Sequence, residues 1–472
     1  MKIITRFLPA FVCLCMLIAC SKSDDGLGIA TKQLKSGTIF TVSPSGNYND
    51  DTYNIQTALN NAIAAGQGST VKLTAGTFYL KDIIEVDGFD GFFTGAGKDK
   101  TFITTHDPIP FDASSGDMFA LLKFRHGNLH MSDLTFNISL TEPCAGPDDL
   151  GGHAMYALVM VTGSSLAAPS PAEQPASASF SNINFIGGEG LFQGMFNVVH
   201  FLWLGAEETF PRPYELVDGS FTVQNCNFNR AAVCVTNNAD KNCTWKIGGS
   251  GATGNVFETS ICSVQQGESA GSTYEISYNS FKDMRWGAIL ASQGMYYDPS
   301  ILAMSKFSIH HNQITMTDYG DGIMLIDDSF YGDGRKLADA VVSNNQVELR
   351  GGMGGIYGEG IQGAIITGNK ISGAGYIGIY FPCWYRGDGE ICRNIVLQGN
   401  NVQSLAAESG VGIVLGRSTI DCSVIGGAAS TTVFNRGTNN ILTGVTNMQG
   451  NDPGDAISLA MQAKHDMIKS LR

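Results

Sequence analysis

The chain has 472 residues with 43 acidic against 29 basic side chains, a formal net charge of −14, which argues against nucleic acid as a partner. An acidic ligand would need a local basic patch or a bridging metal. With 58 glycines, few long helical patterns and many short β-rich runs, internal repetition is the first feature to look for.

The first residues, MKIITRFLPAFVCLCMLIACSKSDDG, set Lys2 and Arg6 ahead of an apolar run ending in LIAC, the pattern of a targeting segment. LIAC followed by Ser21 resembles a bacterial lipobox, which implies cleavage before Cys20 and acylation of Cys20; an ordinary secretory signal or a single membrane span is the alternative. SKSDDG resembles the acidic export tether of Bacteroidetes surface lipoproteins. The resemblance implies a signal peptide over 1–19, a lipid-anchored tether over 20–38, and display at the outer membrane or cell surface, with the membrane met only through the anchor. Loss of Lys2 and Arg6 leaves 27 bases against 43 acids, a net charge of −16. Eight cysteines remain beyond Cys20 in a compartment that permits disulfides, and no CxxC pair occurs, which disfavours a zinc cluster.

DDTYNIQTALNNAIAAG predicts an amphipathic helix with Asp51 as N-cap, Ile55, Leu59 and Ala62 on one face, and Gly66 as the stop. STVKLTAGTFYL and FFTGAGKDKTFI follow as short β-rich runs. RHGNLHMSD, with Arg125, His126 and His130, offers a basic spot of generic pattern. LAAPSPAEQPASAS over 166–179 reads as a surface loop rich in Pro, Ala and Ser, and VVHFLWLG as a buried strand in which His200 is a core or sheet residue and not a catalyst.

From there the chain repeats. ATGNVF, ISYNSF, IHHNQI, VSNNQV, ITGNKI and LQGNNV place Asn255, Asn279, Asn312, Asn345, Asn369 and Asn400 in one apolar–x–x–Asn–x–apolar unit, with weaker copies at MSDLTF, FSNINF and VQNCNF. Most units are followed by a glycine-led strand: GAILAS, GIMLID, GIYGEG, GIYFPC or GIVLGR. Such coils cannot bury a face alone and must stack on their neighbours. The pattern resembles the right-handed parallel β-helix of the pectin-lyase-like superfamily, which implies an all-β, single-domain solenoid over 39–449. The early helix and entry runs resemble the capped open end of pectate-lyase-like proteins. GDAISLAMQAKHDMIKSLR implies a C-terminal capping helix over 450–472, with Ile457, Met461, Ile468 and Leu471 on one face. The repeated asparagines are expected to form a buried amide ladder, and Cys226, Cys243 and Cys262 to be core thiols, not metal ligands.

Successive ladder positions are 24, 33, 33, 24 and 31 residues apart, so the basic coil is near 24 and the surplus follows the glycine-led strands as SQGMYYDPSIL, IDDSFYGDGRKL and CWYRGDGEIC. Stacked insertions at one corner should form a wall, broken by a notch roughly 10 Å wide at the coil without one. The wall carries Tyr296, Tyr297, Asp298, Asp327, Asp328, Tyr331, Asp333, Arg335, Trp384, Tyr385, Arg386, Asp388 and Glu390. On the floor, GGIYGEGIQG should turn Ile356 inward and Tyr357 and Glu359 outward, with Met324, Ile326 and Asp328 one coil before, and Tyr380, Pro382 and Trp384 one coil after. Cys383 and Cys392 are positioned to close their loop with a disulfide.

Aromatic rings beside carboxylates and arginines suit a saccharide. The first expectation is therefore a polysaccharide lyase or glycoside hydrolase. Glu359 is the leading acid, with Asp328 and Asp327 beside it. Tyr296, Tyr297, Tyr331, Arg335, Tyr357, Tyr380, Trp384, Tyr385 and Arg386 would bind the chain. No cofactor is required; a lyase could use Ca²⁺ held by Asp327, Asp328 and Asp333, with Arg335 or Arg386 helping. The polygalacturonase-type acid series and the pectate-lyase-type arginine region are absent, which leaves an uncommon enzyme or a non-catalytic glycan-binding or adhesive protein. Monomer and trimer are both compatible with the sequence.

Overall fold

The computed structural model describes residues 37–105, 119–138, 156–163, 175–187, 199–205, 216–238, 240–266, 269–293, 304–318, 320–327, 337–351, 353–381, 391–403, 405, 411–427 and 432–447. The signal, the tether up to residue 36 and the expected C-terminal helix fall outside them.

The chain enters through the strand Ile39–Val42 and the helix Tyr48–Ala65. Ile55, Ala58, Leu59 and Ala62 are buried against the first coils, as the spacing predicts. The N-cap is Asn47, whose side chain accepts from the Asn49 N–H at 3.0 Å, and not Asp51. Asp51 is fully buried in the first turn instead. Its Oδ1 accepts from the backbone and hydroxyl of Ser45 at 2.7 and 2.8 Å, and its Oδ2 accepts from Tyr79 N–H at 3.0 Å. The side chain is used to fasten the helix to a strand. Gln56 does the same by a reciprocal pair with the Glu85 backbone, at 3.0 and 3.1 Å. Gly66, with φ +94°, ends the helix.

Beyond the entry, each coil contributes one strand to each of three parallel sheets. In the first sheet Thr273–Ser277 pairs with Lys306–His310, then Val341–Ser343, Ile365–Thr367 and Val396–Gln398. The second runs Val256–Glu258, Ser280–Met284, Gln313–Met316, Gln346–Leu349 and Lys370–Gly373. The third runs Cys262–Gln266, Gly287–Gln293, Asp321–Asp327, Gly354–Glu359, Ile377–Phe381 and Val411–Leu415. Aligned coils stack like on like inside. Phe136, Phe185, Phe228, Phe257 and Phe281 form one column with centroids 4.7–5.3 Å apart. Phe221, Trp245, Tyr274 and Phe307 form another at 4.3–5.7 Å.

The turn from first to second sheet explains the repeat. Tyr278, His311 and Asn344 take φ of +55 to +56° there, and Gly368 and Gly399 of +62 to +65°. The next residue is the ladder asparagine, directed into the corner. Each Nδ2 donates to the following Oδ1 at 3.0–3.1 Å, from Asn255 to Asn400. The backbone N–H of each rung donates to the same oxygen at 3.0–3.1 Å. The expected ladder is therefore present, with Cys226 at its head giving its N–H to Asn255 Oδ1 at 3.0 Å. The weaker copies are genuine coils as well: Asp133, Asn182 and Asn225 take the left-handed corner with φ of +52 to +61°.

Cys226, Cys234, Cys243 and Cys262 are buried, and desolvation pushes the Cys226 and Cys262 thiols up to about 12, so they stay protonated. Cys392 is buried in a strand alongside Thr419; Cys383 lies outside the described residues, and with it the expected disulfide. The loop predicted over 166–179 ends earlier, because Ala176–Ile186 is a strand with Ala176, Ala178 and Phe180 in the core. The groups of the basic spot each meet a neighbour: Arg125 Nε meets Glu85 Oε1 at 2.5 Å, His126 Nδ1 meets Asp87 Oδ1 at 2.6 Å, and His130 Nδ1 lies 2.7 Å from Ser179 Oγ. His200 is buried edge-on to Trp203, as expected of a sheet residue, and burial lowers its pKa to about 3.

Candidate functional site

The outer face of the third sheet holds the described part of the candidate site. Ile289, Ile323, Ile356, Ile379 and Ile413 are in register and point into the core. One residue on, Leu290, Met324, Tyr357, Tyr380 and Val414 form the outward row and pack among themselves as a separate cluster. Alternation thus places Ile356 and Tyr357 as the sequence predicts, and Met324, Ile326 and Tyr380 join the outward face.

On this face two carboxylates are buried, each held by a phenol. Glu359, 3% exposed, accepts a short hydrogen bond from the Tyr357 hydroxyl through Oε2. Asp321, fully buried, accepts from the Tyr380 hydroxyl at 2.7 Å. Tyr380 sits two coils beyond Asp321, so its ring must cross the coil between. Gly354 permits this: a Cβ there would overlap the Tyr380 ring edge and lie 2.8 Å from Asp321 Oδ1. The two rings lean together with centroids 4.9 Å apart. Desolvation first, then the nearby carboxylates, hold both phenols well above their usual pKa, so both act as donors.

The two acids leave the backbone at different points along neighbouring strands. Asp321 is in register with Gly354, and Glu359 lies five residues further along, roughly 16 Å of strand. A glycosidase pair is separated by about 5–9.5 Å. At the end of the preceding strand Ile326 is the register neighbour of Glu359, and Asp327 follows in sequence. The side chain of Asp327 is outside the described set, as are Asp328, Tyr296, Tyr297, Tyr331, Arg335, Trp384, Tyr385 and Arg386. The uninserted coil is continuous: Glu359 passes through Gly360, with φ +64°, and Ile361–Gln362 directly into Ile365–Thr367.

Asp321 was missed by a search for insertions. Its signal is an acid between Gly320 and Gly322 at the head of a strand, where both glycines sit against neighbouring backbone. Among the described residues no group of three or more His, Cys, Asp or Glu is placed to hold a metal; the acids expected to hold Ca²⁺ are at or beyond the end of the strand Asp321–Asp327.

No family model and no curated protein matches the sequence. Among solved structures, the chain is similar to the catalytic unit of a thermostable GH87 alpha-1,3-glucanase from Streptomyces thermodiastaticus, at 14% identity over 89% of this chain and 71% of that one, with a TM-score of 0.56. It is similar to DFA-IIIase from Arthrobacter chlorophenolicus in complex with DFA-III, at 10% identity over 83% and 95% of the two chains, TM-score 0.50. The PL6 family polysaccharide lyase from Pseudopedobacter saltans follows at 10% identity over 88% and 94%, TM-score 0.48. The fold is a right-handed parallel β-helix. At such identities the likeness establishes the β-helix alone, a scaffold on which activity is decided by the site.

Proposed function

We propose that this β-helix protein binds and cleaves a polysaccharide on the outer face of its third sheet, with Glu359 as the working acid. The observation that carries the reading is a carboxyl group 3% exposed, gripped by a tyrosine, on the outward face of the uninserted coil that lies between inserted ones. General acid catalysis needs a carboxyl within hydrogen-bond reach of the leaving oxygen and shielded from bulk water. Glu359 would give its proton to the glycosidic oxygen while Asp328 or Asp327 of the preceding coil serves as base or nucleophile, and Tyr357 fixes the acid's orientation. Tyr380 and Met324 are fully buried and pack behind this face, where they support the acid instead of meeting a sugar. The likeness to an alpha-1,3-glucanase supports glycoside hydrolysis as the reaction class.

The low exposure of Glu359 favours one second reading, a non-catalytic glycan binder in which both acid–phenol pairs only shape the floor. A polysaccharide panel, with and without chelator, separates them. New reducing ends alone mean hydrolysis, unsaturated uronide absorbance means elimination, and retention without either means binding. If cleavage is found, Glu359→Gln should lower turnover at least ~10²-fold, and Trp384→Ala should chiefly raise KM. Normal turnover by Glu359→Gln would move the chemistry to the acids of IDDSFYGDGRKL. The proposal includes surface display through acylated Cys20; Cys20→Ala should leave the membrane fraction, and unchanged retention would refute the anchor.

A further inference from the structure

A corner of the first sheet carries two histidines that the third-sheet site does not use. His310 ends the strand Lys306–His310, and His311 follows at the corner with φ +56°. Neighbouring residues on a strand project to opposite faces, so adjacent histidines ordinarily diverge. The left-handed backbone at His311 turns its ring back, leaving the two Nδ1 atoms 3.0 Å apart and the rings perpendicular at 90°. Tyr278, the corner residue of the preceding coil, stacks on His311 at 4.8 Å and fixes that ring. Behind His310, Nε2 faces Glu275 Oε1 at 3.7 Å. The pair is open to solutes: the His310 side chain is 21% exposed and His311 lies at the surface.

We propose that His310 and His311 form a two-nitrogen site for a divalent transition metal of tetragonal preference, copper(II) foremost, bound through both Nδ1 atoms with water in the remaining positions. Metal–imidazole bonds of ~2.0 Å put two nitrogens ~2.8 Å apart at a right angle and ~3.3 Å apart at a tetrahedral angle. The observed 3.0 Å lies between the two, nearer the right angle. Copper(II) also heads the affinity order for nitrogen sites. Glu275, 3.7 Å from Nε2, is beyond hydrogen-bond distance and acts on the ring by charge alone.

The protonation state suits such a ligand. The contact between the two Nδ1 atoms requires one of them to carry a proton and the other to be bare. With its Nε2–H toward Glu275, a neutral His310 presents a bare Nδ1 that accepts the Nδ1–H of His311. The metal replaces that proton. Glu275, Lys246 and Tyr278 are the other ionisable groups around the pair, and protons compete with the metal for both imidazoles, so affinity should fall as pH drops.

The test is a copper(II) titration of the soluble domain without a histidine tag, followed by electron paramagnetic resonance. The expected result is a first copper with two-nitrogen coupling. His310→Gln and His311→Asn, the latter tolerant of the left-handed corner, should each weaken it at least ~10-fold with unchanged melting temperature, and Glu275→Gln should weaken it less. A first copper held equally tightly by both histidine variants, or one lacking two-nitrogen coupling, overturns the proposal.

Discussion

At Gly354 the absence of one carbon decides how the outer face is wired, since the Tyr380 ring occupies the space a side chain would fill on its way to Asp321. Gly354→Ala should break that hydrogen bond and leave a buried carboxylate short of a donor, a loss of about 1–3 kcal/mol readable by denaturant unfolding. Tyr380→Phe should remove the same bond without overlap, so the difference between the two variants measures the steric part. His200 sets a pH dependence. It takes up a proton near 6.5 in the unfolded chain but only at about 3 when folded, because burial disfavours the imidazolium. Its contribution is present in full above 6.5 and is lost as pH falls from there toward 3. His200→Phe should shift the acid-unfolding midpoint to lower pH. Asp240 acts in the opposite sense: burial raises its pKa, so its contribution is fullest below 3.8 and declines as pH rises.

At the level of the element, the corner separates two jobs that look alike in sequence. In VSNNQV the first asparagine, Asn344, is a conformational choice at φ +55°, and the second, Asn345, is a rung. Asn345 accepts from the backbone and side chain of Asn312, both at 3.0 Å, and donates at 3.0 Å to Ile309 O and Asn369 Oδ1. Asn345→Ala should therefore cost roughly 2–4 kcal/mol by stranding buried partners. Asn344→Gly should stay within about 1 kcal/mol of wild type, since glycine serves this corner in the next two coils. Chemical denaturation of the two variants side by side checks the distinction. Comparable losses in both would mean that the corner side chain also bears load.

For the whole molecule, the open ends of the solenoid are the weak points, because an end coil leaves its backbone and apolar interior without a neighbour. The helix Tyr48–Ala65 covers the first end through Ile55 and Leu59, fastened by Asp51 and Gln56. Removing residues 37–66 should expose Val71, Leu73, Phe78 and Leu80 and give soluble aggregates, visible by size-exclusion chromatography with light scattering. A monodisperse, fully stable product would mean that the end is sealed by other means.

How much was legible follows from range. The β-helix repeat, the capping helix and the inward place of Ile356 were readable, because each rests on spacing within one coil: a turn every few residues, alternation along a strand, an apolar stripe on a helix. Asp51 was placed correctly in the helix and wrongly in its job, because its carboxylate takes one N–H from Ser45 before the helix and another from a strand 28 residues away. The sequence alone determined that coils stack, that asparagines meet asparagines, and that Tyr357 and Glu359 share the outer face. Tertiary structure decided that Tyr380 reaches Asp321 across Gly354, that Arg125 is spent on Glu85, and that His310 and His311 converge. Those contacts join different coils or depend on one left-handed corner. Local periodicity records a side chain's face but not its partner in the next coil.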